Sequence, residues 1–148
     1  MKTNKTQKMS DKIKQSLIGG IVGTVAMTII TWMAPLMGFP KMSAPDMLAG
    51  MLGLPVYVGW VMHFMIGIIF ALAYIFLIQK QLLKISNRYA KGIVFGIIIF
   101  VFAQVMILIM GAIFTSMPSP AGSMALMMLG SMIGHVVYGI VVVLFSKV

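Results

Sequence analysis

The chain has 148 residues, of which 61% are hydrophobic and 9% charged, with a formal charge of +9 and no cysteine. A soluble domain carries about a quarter charged residues, so water is excluded as the main solvent, and the lack of cysteine excludes disulfides, thiolate catalysis and cysteine metal sites together. The positive charge does not read as nucleic-acid binding, because the basic residues fall in short segments flanking apolar runs; it reads as membrane topology and attraction to anionic lipid headgroups.

Residues 1–15, MKTNKTQKMSDKIKQ, are a basic segment placed on the cytoplasmic side, and residues 16–148 form one all-α transmembrane domain. The first apolar run, about residues 17–37, is longer than a signal-peptide core. The small-residue site after it, Ser43-Ala44, is followed at once by Pro45, so the run is expected to stay as the first span. Pro35 near its end predicts a kink. A connection over residues 38–55 follows, and Ser43-Ala44-Pro45-Asp46 has the S-x-x-D form of a helix cap. It predicts a short interfacial helix over Asp46 to Gly53, with Asp46 at the positive end of the dipole as a cap residue rather than a catalytic acid.

Three more runs, about 56–78, 92–114 and 124–145, match the roughly 20 helical residues that cross a bilayer core of about 30 Å. None alternates in polarity as barrel strands do. Tyr57, Trp60 and Tyr89 sit near run ends, where amphipathic rings anchor spans. Ten of the eleven basic residues (Lys2, Lys5, Lys8, Lys12, Lys14, Lys80, Lys84, Arg88, Lys91 and Lys147) fall on one side and Lys41 on the other. This predicts four spans in an inner membrane with both termini cytoplasmic.

The two halves resemble one another at a fixed offset. Gly-Ile-Val recurs at 20 and 92, Ala-Gly at 49 and 121, histidine at 63 and 135, glycine at 67 and 139, each 72 apart; residues 19–74 and 91–146 are identical at eleven of 56 positions without a gap. The expectation is a tandem duplication of a two-helix hairpin, its halves related by an axis along the membrane normal. In an up-down-up-down bundle the second and fourth spans then lie on a diagonal.

His63 and His135, the only histidines, head the candidate site. A rise of about 1.5 Å per residue puts both roughly 10 to 16 Å inside the membrane from the outer ends of their spans, with Gln104 at about 15 Å. Residues four apart share a helix face, so Gly59, His63 and Gly67 form one stripe and Ser131, His135 and Gly139 its counterpart. One reading is helix packing, with each imidazole bonded to a neighbour such as Gln104. A second makes His63 and His135 the metal ligands of a bis-histidine b-type haem, for which Lys41 alone is available to the propionates. A third is Cu(I) handling by the histidines with Met33, Met37, Met42, Met47, Met51, Met117, Met124, Met127 and Met128. The chain has no glutamate for proton-coupled export, and Ser131 and His135 share a face with no acid to complete a triad, so no enzymatic activity is expected. The expected role is that of an accessory or binding protein without a required cofactor. Its partners would be the lipid bilayer and, through its glycine-lined faces, further copies or a membrane complex.

The succession GGIVGT, PDMLAGMLGLP, GWVMHFMIG, KGIVFG and GHVVYG resembles a bacterial family of small four-span inner-membrane proteins known only as a domain of unknown function. The resemblance implies the fold and the membrane location and carries no catalytic residue with it.

Overall fold

A computed structural model describes residues 2–114 and 122–146; among these the chain is helical and contains no strand. Helix α1 spans Lys2–Met33, α2 Ala44–Leu52, α3 Val56–Ala73, α4 Arg88–Ile113 and α5 Met124–Phe145. Most of the second connection, residues 115–121 with Met117 and Ala121, lies outside the described residues, as do Lys147 and Val148. Four helical stretches, Lys5–Met37, Val56–Ile78, Arg88–Ile113 and Met124–Phe145, are long and apolar enough to cross a bilayer. The basic leader is not separate from the first of them, since α1 runs unbroken from Lys2.

At Pro35 the chain tightens from α1 into a 3-10 turn, Ala34–Met37, closed by Gly38 at φ 83°. The short helix begins where Ser43 Oγ accepts the Asp46 amide at 3.3 Å, and it lays Pro45, Leu48, Ala49 and Met51 against the start of α3. Gly59 is what allows this: a β-carbon there would run into the Pro45 carbonyl. The glycine at 59 therefore seats α2, not another span.

The spans are ordered α3, α1, α5, α4 around the bundle, which places α3 and α5 on a diagonal. Lipid is as apolar as leucine, so helices in it adhere through close backbone approach rather than hydrophobic burial. The glycines supply that approach. A β-carbon on Gly20 of α1 would sit 2.8 Å from Ile68 Cα of α3, and one on Gly92 of α4 would meet Ile140 Cα of α5. Gly67 rests on the Gly20 carbonyl and Gly139 on the Gly92 carbonyl. Each of these contacts recurs at the 72-residue offset.

The two seams between the halves differ. Where α1 meets α5, Gly23 admits the Tyr138 ring and Gly19 admits Val142 and Phe145. The offset puts Lys91 and Phe95 at the corresponding places on α4 and Phe70 opposite them on α3. Bulky side chains stand where the offset has glycine, and rings bridge α3 and its continuation to α4: Tyr74 with Phe95 at 4.7 Å and Phe70 with Phe102 at 5.6 Å between centroids. Tyr74 opens a wide π turn, Tyr74–Ile78, in which the Gln79 amide reaches the Tyr74 carbonyl at 2.7 Å.

Arg88, expected only to mark topology, clamps the far end of α5. Its guanidinium donates to the carbonyls of Val143 (2.6 Å), Leu144 (2.9 Å) and Ser146 (2.6 Å). The Val143 carbonyl also accepts from the Ser146 amide at 3.3 Å and the Ser146 hydroxyl at 2.8 Å, and the three carbonyls together form the negative pole of the helix dipole.

Gly139→Val tests the glycine seam, since its β-carbon would lie 2.6 Å from the Gly96 nitrogen. The expected outcome is a loss of about 1–3 kcal/mol, the usual range for overpacking, read as a lower melting temperature in detergent. Ile97→Val, on the exposed face of α4, should leave the melting temperature nearly unchanged.

Candidate functional site

The polar side chains of the bundle centre come from α1 as much as from the histidine helices. Thr24, Thr28 and Thr31 recur at intervals of four and three and so share one face of α1. Each returns its hydroxyl hydrogen to its own helix: Thr24 to the Gly20 carbonyl at 2.7 Å, Thr28 to the Thr24 carbonyl at 2.7 Å, and Thr31 to the Met27 carbonyl at 3.0 Å. This is how a hydroxyl is satisfied where no water competes.

His63, only 8% exposed, brings Nε2 to within 3.1 Å of Thr28 Oγ1. The hydroxyl hydrogen of Thr28 is committed to the Thr24 carbonyl, so Thr28 accepts and His63 Nε2 carries the proton. His135 holds Nδ1 2.7 Å from the Ser131 carbonyl, with Ser131 Oγ at 3.4 Å. A carbonyl only accepts, so His135 is protonated at Nδ1. These tautomers follow from the hydrogen-bond network, and they are opposite. His63 keeps its lone pair on Nδ1 and His135 on Nε2, and among the described residues neither lone pair has a partner.

One turn further along, the Tyr138 hydroxyl donates to the Gly67 carbonyl across the diagonal. Residues 67 and 138 follow the histidines by four and three positions, so the phenol closes the space between α3 and α5 on the side toward Arg88. Aromatic rings flank the imidazoles above it. Trp60 and Phe64 lie 6.4 and 6.2 Å from His63, and Phe100 lies 5.9 Å from His135, all near edge-on.

The residues singled out from sequence divide between several places. His63 and His135 both lie on inward faces beside Gly67 and Gly139, but each bonds a neighbour of its own. Gln104 is half-buried on α4 and bonds neither imidazole. Ser131 serves His135, Gly59 serves α2, and Ser43 caps α2 with Asp46 in its first turn. Of the methionines, Met33, Met37, Met124 and Met128 are exposed, Met51 is buried in α2 and Met42 packs on Gly130; Met117 is outside the described residues. Lys41 is exposed. Among the described residues no three of His, Cys, Asp and Glu gather as metal ligands. Thr28 and Tyr138 were missed, although the threonine stripe and the tyrosine three residues after His135 were both visible.

The fold is thus an all-helical bundle with four helices long and apolar enough to cross a membrane. The chain belongs to the Family of unknown function (DUF6789), which it matches over residues 10–147. No curated protein and no solved structure matches it.

With two histidines in the chain, nitrogen-15 correlation spectra give two imidazole patterns. One is expected protonated at Nε2 and the other at Nδ1. Thr28→Val should remove the acceptor of the first, shift only that pattern, and lower stability by about 0.6 kcal/mol, the average for side-chain hydrogen bonds between membrane helices.

Proposed function

We propose that this is a non-enzymatic binding protein of the inner membrane, which holds its ligand against the lone pairs of His63 and His135. The observation that carries the reading is the bonding of the two imidazoles: Thr28 Oγ1 at 3.1 Å from His63 Nε2 and the Ser131 carbonyl at 2.7 Å from His135 Nδ1 give each ring proton a partner inside the protein and leave the other nitrogen without one among the described residues. Packing alone asks only that a polar group be bonded, which one nitrogen of each ring achieves. Intramembrane ionisable side chains more often mark function than structure. The absence of catalysis is supported by Ser131, whose partner is a histidine of its own helix, and by the position of Asp46 as a cap on α2.

The orientation proposed has both termini and the 80–91 connection in the cytoplasm, from the one-sided distribution of basic residues. The origin proposed is duplication of a helical hairpin, supported by the Gly20–Ile68 contact and its counterpart Gly92–Ile140 at the same offset. Reporter fusions at residue 148 and within 80–91 should score as cytoplasmic, and a fusion within 38–55 as external. An external C-terminus would reverse the orientation.

The ligand reading is tested by native mass spectrometry of protein released from its own membrane. Part of the population should carry a non-protein mass that His63→Leu or His135→Leu removes; identical spectra for all three would refute it. A second reading, ligation of haem iron or Cu(I), draws on the same lone pairs, because metal-bound imidazoles also donate their other nitrogen to a carbonyl or hydroxyl. A porphyrin between the two rings would need the space that the Tyr138 phenol crosses. A Soret band or bound copper in purified protein, lost in the histidine variants, would favour that reading.

A further inference from the structure

The chemistry of the two free nitrogens narrows the class of ligand. Both are neutral acceptors, so what they bind must bring a proton-bearing donor or a cation. A cation is disfavoured by charge. The only carboxylates of the chain are Asp11, in the leader part of α1, and Asp46, on α2, so none lies in the spans at the level of the histidines to offset a metal ion. An uncompensated charge in a low-dielectric interior costs several kcal/mol or more. A neutral hydroxyl brings no such cost and satisfies the lone pair directly.

Shape adds a second restriction. Phe100 stands beside His135, and Trp60 and Phe64 beside His63, each with its centroid about 6 Å from the imidazole. Flat rings of this kind pack well on an aromatic headgroup. Tyr138 shows the bonding pattern within the protein itself, as a phenol crossing the bundle to a backbone acceptor one turn away.

We infer that the site takes a membrane-soluble molecule with a hydroxylated aromatic headgroup, of the quinol class, its hydroxyls donating to His63 Nδ1 and His135 Nε2. The inference rests on the ligand-binding reading above and specifies its chemistry. It also predicts a redox preference. A quinol presents hydroxyl donors, whereas the matching quinone presents only carbonyl acceptors, which two acceptor nitrogens cannot bind.

The test is calorimetric titration of the full-length protein in dodecylmaltoside with a decyl-tailed benzoquinol, kept reduced under argon, and with its quinone. The quinol should bind at least ten-fold more tightly, and His63→Leu or His135→Leu should each weaken it at least ten-fold, while Ile97→Val leaves it unchanged. The ratio measured on the unaltered protein decides the matter even if a histidine variant fails to fold. Equal or tighter binding of the quinone would overturn the inference, as would quinol binding indifferent to both histidines in folded variants. Zn2+ or Cu+ bound one to one and lost in those variants, with no quinol bound, would overturn it in favour of a metal. Absence of quinol binding alongside a histidine-dependent mass in native spectra would reject the ligand class and leave the binding reading standing.

Discussion

Backbone contact through glycine is the constraint on which the rest of this bundle depends. In a bilayer, apolar side chains gain little by turning from lipid to protein, so helices must come close enough for dispersion and carbonyl contacts to hold them. Gly20 with Gly67, and Gly92 with Gly139, set the helices at that distance within each half, and Gly19 and Gly23 do so between α1 and α5. Close approach then fixes what lies between the helices. The His63 ring can reach Thr28 only because Gly67, one turn on, seats α3 against Thr24 and the Gly20 carbonyl.

The hydrogen bonds of the α1 threonines and the two histidines solve a problem of supply. An apolar interior offers few partners, and each donor must find one. The threonines of α1 bond backward to their own helix, which turns Thr28 from a donor into an acceptor and dictates the tautomer of a residue 35 positions away. The second half meets the same need differently. The offset of 72 places Phe100 where Thr28 would be and Ser131 where Gly59 would be. His135 accordingly stands edge-on to Phe100 and bonds its own helix at Ser131. Serine at 59 would collide with α2, and a phenylalanine at 28 would leave His63 without an acceptor, so each half keeps the arrangement its surroundings allow.

Much of the architecture was legible because hydropathy, proline and charge act locally. The four long apolar helices, the 3-10 turn at Pro35 and the short helix after Ser43 all follow from residues within a few positions of each feature. The partners of the histidines were not legible in the same way. Gln104 was named as a partner from its depth along the helix, yet hydrogen bonding depends on which helix faces which. That in turn depends on glycines, which mark small space without naming what fills it. The ring-packed seam between α3 and α4 was foreshadowed by Phe95 standing 72 residues after Gly23. The π turn at Tyr74 has no local signal, since it arises where the end of α3 meets the rings of α4.

The clamp of Arg88 on the end of α5 bears on how the chain is threaded into the membrane. α5 is synthesised after α4, and the guanidinium waits at the start of α4 beside the place where the last turn of α5 must arrive. A fifth helix inserted upside down would bring its amide end to that spot, setting positive pole against positive charge and leaving five N–H groups without acceptors. The arginine thus acts as a gatekeeper for the polarity of this crossing, at a point where the hydropathy of α5, which reads the same in either direction, offers no guidance.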